Sequence, residues 1–273
     1  GWRLGAGDEF VLEGDEYDSA FFDKSSKFLH YKPQTAVLTS VELDHVDIFS
    51  SMEEVRQTFR KFVALIPETG LLLVANSCSE ALDIAESCPG RVERYGIVLG
   101  DDIDPEIEWL AKHTGDLSSG RSQFTVYRFG EVFDQYEMIM TGQQNLENAL
   151  ACIAVAHSRG VPRDRIHSGV ASFSGVARRQ QFRGVAQGVT VIEDYGHHPS
   201  AVCLTLKGLH ARFRGRRLVA IYEPRTATSR RRTFQREFVE AFSNADELVV
   251  GGLYAPDNIP KEERFDPERL ALE

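Results

Sequence analysis

The order in which apolar runs and helical periodicity alternate constrains this chain more than any other feature. Residues 35–41 (TAVLTSV) form a short apolar run of the kind buried in a parallel sheet. An acidic loop follows, and then Met52, Val55, Phe59, Phe62, Val63 and Ile66 recur at three-and-four spacing, which places them on one helix face. Residues 71–75 (LLLVA) are the next apolar run. Strand, helix and strand joined by short loops predict an α/β sheet with right-handed crossovers. The pattern returns later as strand 189–193, helix 199–210, strand 217–222, helix 230–242 and strand 247–250, a Rossmann-like βαβαβ unit.

Between these units, residues 9–13 (EFVLE) predict one more strand, and residues 92–137 predict shorter strands in an antiparallel flank, with a short helix at 105–112. Gly142 opens a helix in which Leu146, Ala149, Leu150, Ile153 and His157 share a face, and a second helix spans 162–173. The segment SFSGVARRQQ breaks helical periodicity with Gly175 and a dibasic pair. The predicted boundary therefore divides the chain into domains 1–174 and 175–273. With 273 residues, 42% hydrophobic and 26% charged, the chain can build two cores, which excludes disorder and collagen.

No run approaches the roughly 18 apolar residues of a membrane helix, and no basic, apolar leader opens the sequence. The expected setting is cytoplasmic, with no membrane partner. Cys78, Cys88, Cys152 and Cys203 form no CxxC pair, so free thiols are expected rather than a zinc ribbon. The net charge of -10 opposes nucleic-acid binding, yet it is unevenly spread. Residues 159–236 hold sixteen Lys and Arg against four acidic residues, so a basic second part joins an acidic first part. A cationic surface for a phosphorylated ligand follows from that asymmetry.

Two polar loops stand at the C-terminal ends of predicted strands, the edge where open α/β sheets place ligands. In EDYGHHP, Pro199 suits the first helical position and sets His197 and His198 at a helix N-terminus, which favours phosphate. In EPRTATSRRR, Ser229 is placed to cap the next helix and Arg225 to project from the strand edge. The first part supplies the complement: Glu13 ends one predicted strand, and VELDHVD follows another. Carboxylates with one imidazole and no thiolate suit a hard cation such as Mg²⁺. Glu13 and His45 are the expected ligands, whereas Asp44 and Asp47 read as solvated turn residues.

Six stretches, LEGDEYDSAFFDKSSKF, SVELDHVDIF, GQQNLENALA, GVARRQQFRG, EDYGHHP and EPRT, occur in the order found in Mur ligases, and the chain resembles that family over nearly its whole length. The resemblance implies the central ATPase-like domain followed by the Rossmann-like C-terminal domain, each in part. It also implies an ATP-dependent, ADP-forming amide ligase of peptidoglycan metabolism. The EYDSAFFDK stretch resembles the branch that joins UDP-N-acetylmuramate to the murein tripeptide L-alanyl-γ-D-glutamyl-meso-diaminopimelate. The alternative is the branch that adds L-alanine.

Carried over by position, Glu13 and His45 match metal ligands, and Asn145 and Asn148 match asparagines that contact ATP. Arg179 matches an arginine that reaches the phosphates. Asp194, His197 and His198 match the loop that closes over the nucleotide, and Arg225 matches a residue near the incoming amino component. Gln144 stands where the family usually has histidine. No GxxxxGK[ST] phosphate loop occurs. In the family that loop precedes the region of Glu9, so the resemblance implies an internal piece of the ligase that does not turn over alone. A reading from another class, a non-catalytic nucleotide or polyanion-binding module, requires exposed aromatics among the arginines. Phe182, Phe213, Phe234 and Phe238 instead fall at core-like spacings.

Overall fold

The computed structural model describes residues 5–115 and 120–272. A hairpin of β1 (Asp18–Ala20) and β2 (Asp23–Ser26) precedes β3 (Thr35–Leu38), α1 (Met52–Val63), β4 (Leu71–Ala75) and α2 (Ser79–Ala85). Then follow β5 (Arg91–Val98), β6 (Trp109–His113), β7 (Ser122–Arg128), β8 (Glu131–Met138), α3 (Gln143–Ser158) and α4 (Arg163–Ser172). Strands β3 to β8 form one six-stranded sheet in sequence order, parallel from β3 to β6 and antiparallel from β6 to β8.

Strand β4 explains why LLLVA is apolar throughout. Leu71, Leu73 and Ala75 enter the core under α3 and α4, whereas Leu72 and Val74 enter the core under α1 and α2. Helix α1 begins where Ser51 accepts a hydrogen bond from the Glu54 N–H, and the Glu54 carboxylate accepts one from the Ser50 N–H. Its buried side, Val55, Phe62 and Val63, follows the predicted face.

Three expectations fail here. Residues 9–13 form no strand, and Phe10 and Val11 are exposed, because no neighbouring strand offers the segment a hydrogen-bonded ladder. The helix expected at 105–112 is replaced by a turn at 105–108 and strand β6, which the ladders to β5 and β7 hold extended, with Trp109 and Ala111 packed in the core under α3. Strand β5 pairs in parallel with β4, so the antiparallel flank starts only at β6. Helix α2 is an element that the periodicity did not disclose.

The second unit comprises β9 (Gln181–Ala186), β10 (Val189–Glu193), α5 (Pro199–Arg212), β11 (Val219–Tyr222), α6 (Gln235–Phe242), β12 (Glu247–Val250) and α7 (Pro267–Leu272). The strand–helix alternation matches the expected α/β unit, but its pairing does not follow one ladder. Strand β10 pairs antiparallel with β9 through a turn in which Gln187 and Gly188 both have positive φ, and β11 pairs in parallel with β12. A cavity of about 490 Å³ separates β10 from β11, floored by Val202 and Leu206 of α5. The core gathers Val202, Leu206, Tyr222, Phe238, Phe242 and Phe265. Phe238 is buried and Phe213 and Phe234 are half-buried, whereas Phe182, expected in the core, lies exposed on β9.

The segment joining the units has Gly175, Arg178 and Gln180 in the left-handed backbone region. Helix α3 meets α5 so closely that a Cβ built on Gly208 would lie 3.4 Å from the Gly142 Cα. No helix among the described residues is long and apolar enough to cross a membrane. Leu73 lies buried in the middle of β4, so Leu73→Ala should lower the unfolding free energy by about 2–5 kcal/mol in a urea titration. Ile221→Ala, at a residue 82% exposed, should change it by less than about 0.5 kcal/mol.

Candidate active site at the junction of the two units

Three loops that follow strand ends converge where the units meet: residues 39–51 after β3, 194–198 after β10 and 223–231 after β11. Asp44 is their common point. Its carboxylate accepts a hydrogen bond from the Thr228 hydroxyl at 2.6 Å and one from the His45 N–H at 2.7 Å. The His197 Nε2 lies 3.6 Å from its other oxygen. Burial alone would raise the Asp44 pKa, but His197, Thr228 and the His45 N–H outweigh it and hold the carboxyl far below the usual range. The expectation that Asp44 is a solvated turn residue is therefore corrected.

Beside it, the His198 Nδ1 lies 2.8 Å from a Glu42 oxygen. Burial disfavours the imidazolium, yet the Glu42 carboxylate and the nearby Asp44 raise the His198 pKa above its ordinary value. His198 is also the N-cap of α5, with Pro199 in the first turn, as the sequence indicated.

His45 has a backbone φ of +50°. Its Nε2 lies 3.1 Å from Glu16, and the Tyr17 ring packs edge-on at a centroid distance of 4.3 Å. Burial would lower its pKa, but Glu16, Asp44 and Asp47 together raise it. Glu13, expected to lie beside His45 in one metal cluster, is exposed in the segment that forms no strand, and nothing among the described residues pairs with it. The donor chemistry around His45, carboxylates with one imidazole, suits Mg²⁺. As folded, the imidazole is engaged by Glu16, and among the described residues no three His, Cys, Asp or Glu side chains converge to hold a metal ion. Glu16 was not singled out from the sequence; its place four residues into the acidic cluster after Leu12 is the signal that could have found it.

The remaining candidates occupy defined places. Asn145, in the first turn of α3, donates to the Thr141 carbonyl at 2.7 Å, and Asn148 is exposed on the same helix. Asp194 accepts from the backbone N–H groups of Gln180 at 2.9 Å and Gly196 at 2.7 Å, and so ties the linker to the loop after β10. Arg179 is exposed, and its guanidinium lies 5.6 Å from the Tyr195 ring centroid. Arg225 lies over Tyr254 at 4.6 Å and 3.6 Å from Glu223, contacts that anchor its own loop. Ser229 does not cap α6; it exchanges hydrogen bonds with Thr226, which fixes the loop that presents Thr228.

Thr228 is only 1% exposed. Thr228→Val removes the hydroxyl donor and leaves a half-buried carboxylate oxygen without it, so unfolding free energy should fall by about 1–3 kcal/mol, with Thr228→Ser close to wild type. The His198–Glu42 pair adds a pH signature. The His198 pKa is raised, so its contribution is fully present below the ordinary value of 6.5 and is lost as pH rises through the higher folded value. The Glu42 pKa is lowered, so its contribution is present above the ordinary 4.5 and is lost as pH falls through the lower folded value. Denaturant midpoints should fall from pH 6 to pH 8.5, and Glu42→Gln should flatten that fall.

Comparison with known proteins agrees with this architecture. Residues 6–156 match the Mur ligase middle domain, and residues 178–271 match the Mur ligase, glutamate ligase domain. The chain is 34% identical over 250 residues to the UDP-N-acetylmuramate–L-alanyl-γ-D-glutamyl-meso-2,6-diaminoheptandioate ligase of Haemophilus influenzae, covering 91% of the chain and 53% of that protein. It is 37% identical over 275 residues to the UDP-N-acetylmuramate–L-alanine ligase of Geobacter sulfurreducens, covering 99% of the chain and 55% of that protein. The crystal structure of a murein peptide ligase from Psychrobacter arcticus aligns with a TM-score of 0.61 at 33% identity, over 88% of this chain and 48% of that one. The chain spans about half the length of the curated relatives it matches. With its two units matched in order by the two family domains, the chain belongs to the Mur ligase family.

Proposed function

We propose that the chain is the central and C-terminal part of a cytoplasmic, ATP-dependent, ADP-forming ligase. The reaction joins UDP-N-acetylmuramate to the tripeptide L-alanyl-γ-D-glutamyl-meso-diaminopimelate. The observation that carries this reading is the convergence of the histidine loop of the second unit on the acidic loop of the first, at strand C-terminal ends. Amide ligation of this class activates a carboxylate as an acyl phosphate, which the substrate amine then attacks with loss of phosphate. Several negative charges meet in such a site, so cationic groups aimed at the phosphoryl group are the main requirement.

In this proposal Arg179, His197 and His198 supply those groups from the second unit, and Asp194 holds their loop to the linker. ATP would bring the phosphoryl group, and Mg²⁺ would neutralise its charge. Asn145 and Asn148 would contact the nucleotide from the start of α3; Glu13 would hold one metal ion and His45, once it leaves Glu16, a second. Arg225 would face the amine-bearing substrate. Docking of the two units excludes water from an acyl phosphate that water would otherwise hydrolyse.

The alternative acceptor is free L-alanine, favoured by the 37% identity to the Geobacter sulfurreducens enzyme. The partners in either case are small molecules. ADP release by the full-length protein should require Mg²⁺, UDP-N-acetylmuramate and the tripeptide together, and chelation with EDTA should abolish it. ADP release with L-alanine in preference to the tripeptide would replace the first acceptor by the second. Arg179→Ala should lower kcat by about 10²–10³-fold, as expected when one donor to developing charge is removed.

A further inference from the structure

The contacts that join the two units also fill the place where the histidine loop would meet a phosphate. Glu42 and Asp44, two positions apart on one loop, each set a carboxylate against an imidazole of the second unit, Glu42 at 2.8 Å from His198 and Asp44 at 3.6 Å from His197. The side chain of Ser200, in the first turn of α5, bonds the Glu42 carboxylate as well. Both acids are held as anions, Glu42 by the His198 imidazole and Asp44, against its burial, by His197, Thr228 and the His45 N–H.

The two imidazoles differ in access. The His197 side chain is 26% exposed, so a dissolved anion can reach it. The His198 Nε2 is buried without a partner, and the other ring nitrogen is the one that Glu42 takes. A phosphate entering with both carboxylates in place would add negative charge beside them, whereas one that displaced them would inherit both imidazoles. Repulsion in the first case and exchange in the second make the docked contacts and anion binding alternatives to each other.

We propose that the loop carrying Glu42 and Asp44 is an autoinhibitory clasp, in which the two carboxylates stand in for phosphate and a phosphorylated ligand takes the histidine loop only by displacing them. The chemistry of that ligand rests on the ligase reading; the sign of the effect does not. Carboxylates that merely shaped the site would aid the ligand, and these oppose it. An internal competitor lowers the apparent affinity by the fraction of molecules in which it has let go, so whatever loosens the clasp strengthens binding.

The chain itself can be tested by calorimetric titration with inorganic tripolyphosphate, in EDTA so that no metal bridges the anions and at about 0.15 M salt to screen distant charges. The double variant Glu42→Gln with Asp44→Asn keeps both side-chain shapes and removes both charges, and its dissociation constant should be about tenfold or more below that of the wild type. Thr228→Val takes a donor from Asp44 and leaves every carboxylate and imidazole in place, so the constant should fall about threefold or more with no change of charge. Adding His197→Gln to the double variant should raise the constant again by about tenfold, which puts the anion on the histidine loop. Urea titrations establish that each variant is folded; if the double variant is not, Thr228→Val and Glu42→Gln alone decide the sign. Constants that stay or rise in the loosened variants, or tripolyphosphate that binds none of them, overturn the clasp. So does a gain that survives His197→Gln, because loss of charge alone then explains it. If the full-length protein releases ADP while these constants do not move, the clasp fails and the ligase reading stands. If no acceptor supports ADP release, the ligase reading fails, and the tripolyphosphate titration still decides the clasp.

Discussion

A carboxylate that stays ionised where burial opposes ionisation needs donors fixed in place, and Asp44 obtains them from both units at once. The His45 N–H comes from its own loop; Thr228 and His197 come from two different loops of the second unit. Geometry elsewhere follows from that demand. The peptide group that bonds Asp44 leads into a residue with positive φ, and this bend turns the His45 ring toward Glu16 and Tyr17. On the other side, the Thr226–Ser229 exchange holds Thr228 rigid, so that its hydroxyl meets the carboxylate with little further ordering cost.

The uneven charge of the sequence also finds its physical meaning at this junction. Acidic residues of the first unit and histidines of the second face each other, with Glu42 on His198 and Asp44 on His197. Carboxylates engaged in this way resist protonation and remain available as anions to whatever cation approaches. Docking of the units and readiness for a cation therefore draw on the same side chains.

Elements whose neighbours lie close in sequence, or whose burial is one-sided, were legible from the residues alone. The 71–75 run, the three-and-four pattern of α1 and the helix opened by Gly142 are of this kind. Strand β6 was not, because Trp109 to His113 carries no alternation that separates it from a helix turn; the ladders on both sides decide its form. Residues 9–13 show the converse, since a strand-like sequence without a partner strand stays irregular. At the candidate site, the loops could be located from strand ends, but their pairings could not. Whether Asp44 faces water or Thr228 depends on how the two units are set against each other, and whether Glu13 or Glu16 reaches His45 depends on the course of an irregular segment within the first unit. Arg225 illustrates the same limit, as Tyr254, twenty-nine positions away, takes its guanidinium.

The contact between Gly142 and Gly208 has a mechanical consequence. Where the N-cap of α3 meets α5 at two glycines, neither glycine adds a side chain of its own to oppose turning, although the Gln180 amide lies beside both, while the backbone contact still opposes compression. Such a point acts as a fulcrum. Rotation about such a point would lengthen the gap at Asp44 without pulling the two helices apart, which sets the Asp44 clasp where a latch would stand, at the end of a lever whose pivot is a pair of glycines. Any side chain at Gly142 would strain the backbone there, whose φ is +96°, and so disturb the pivot and with it the arc along which the histidine loop travels.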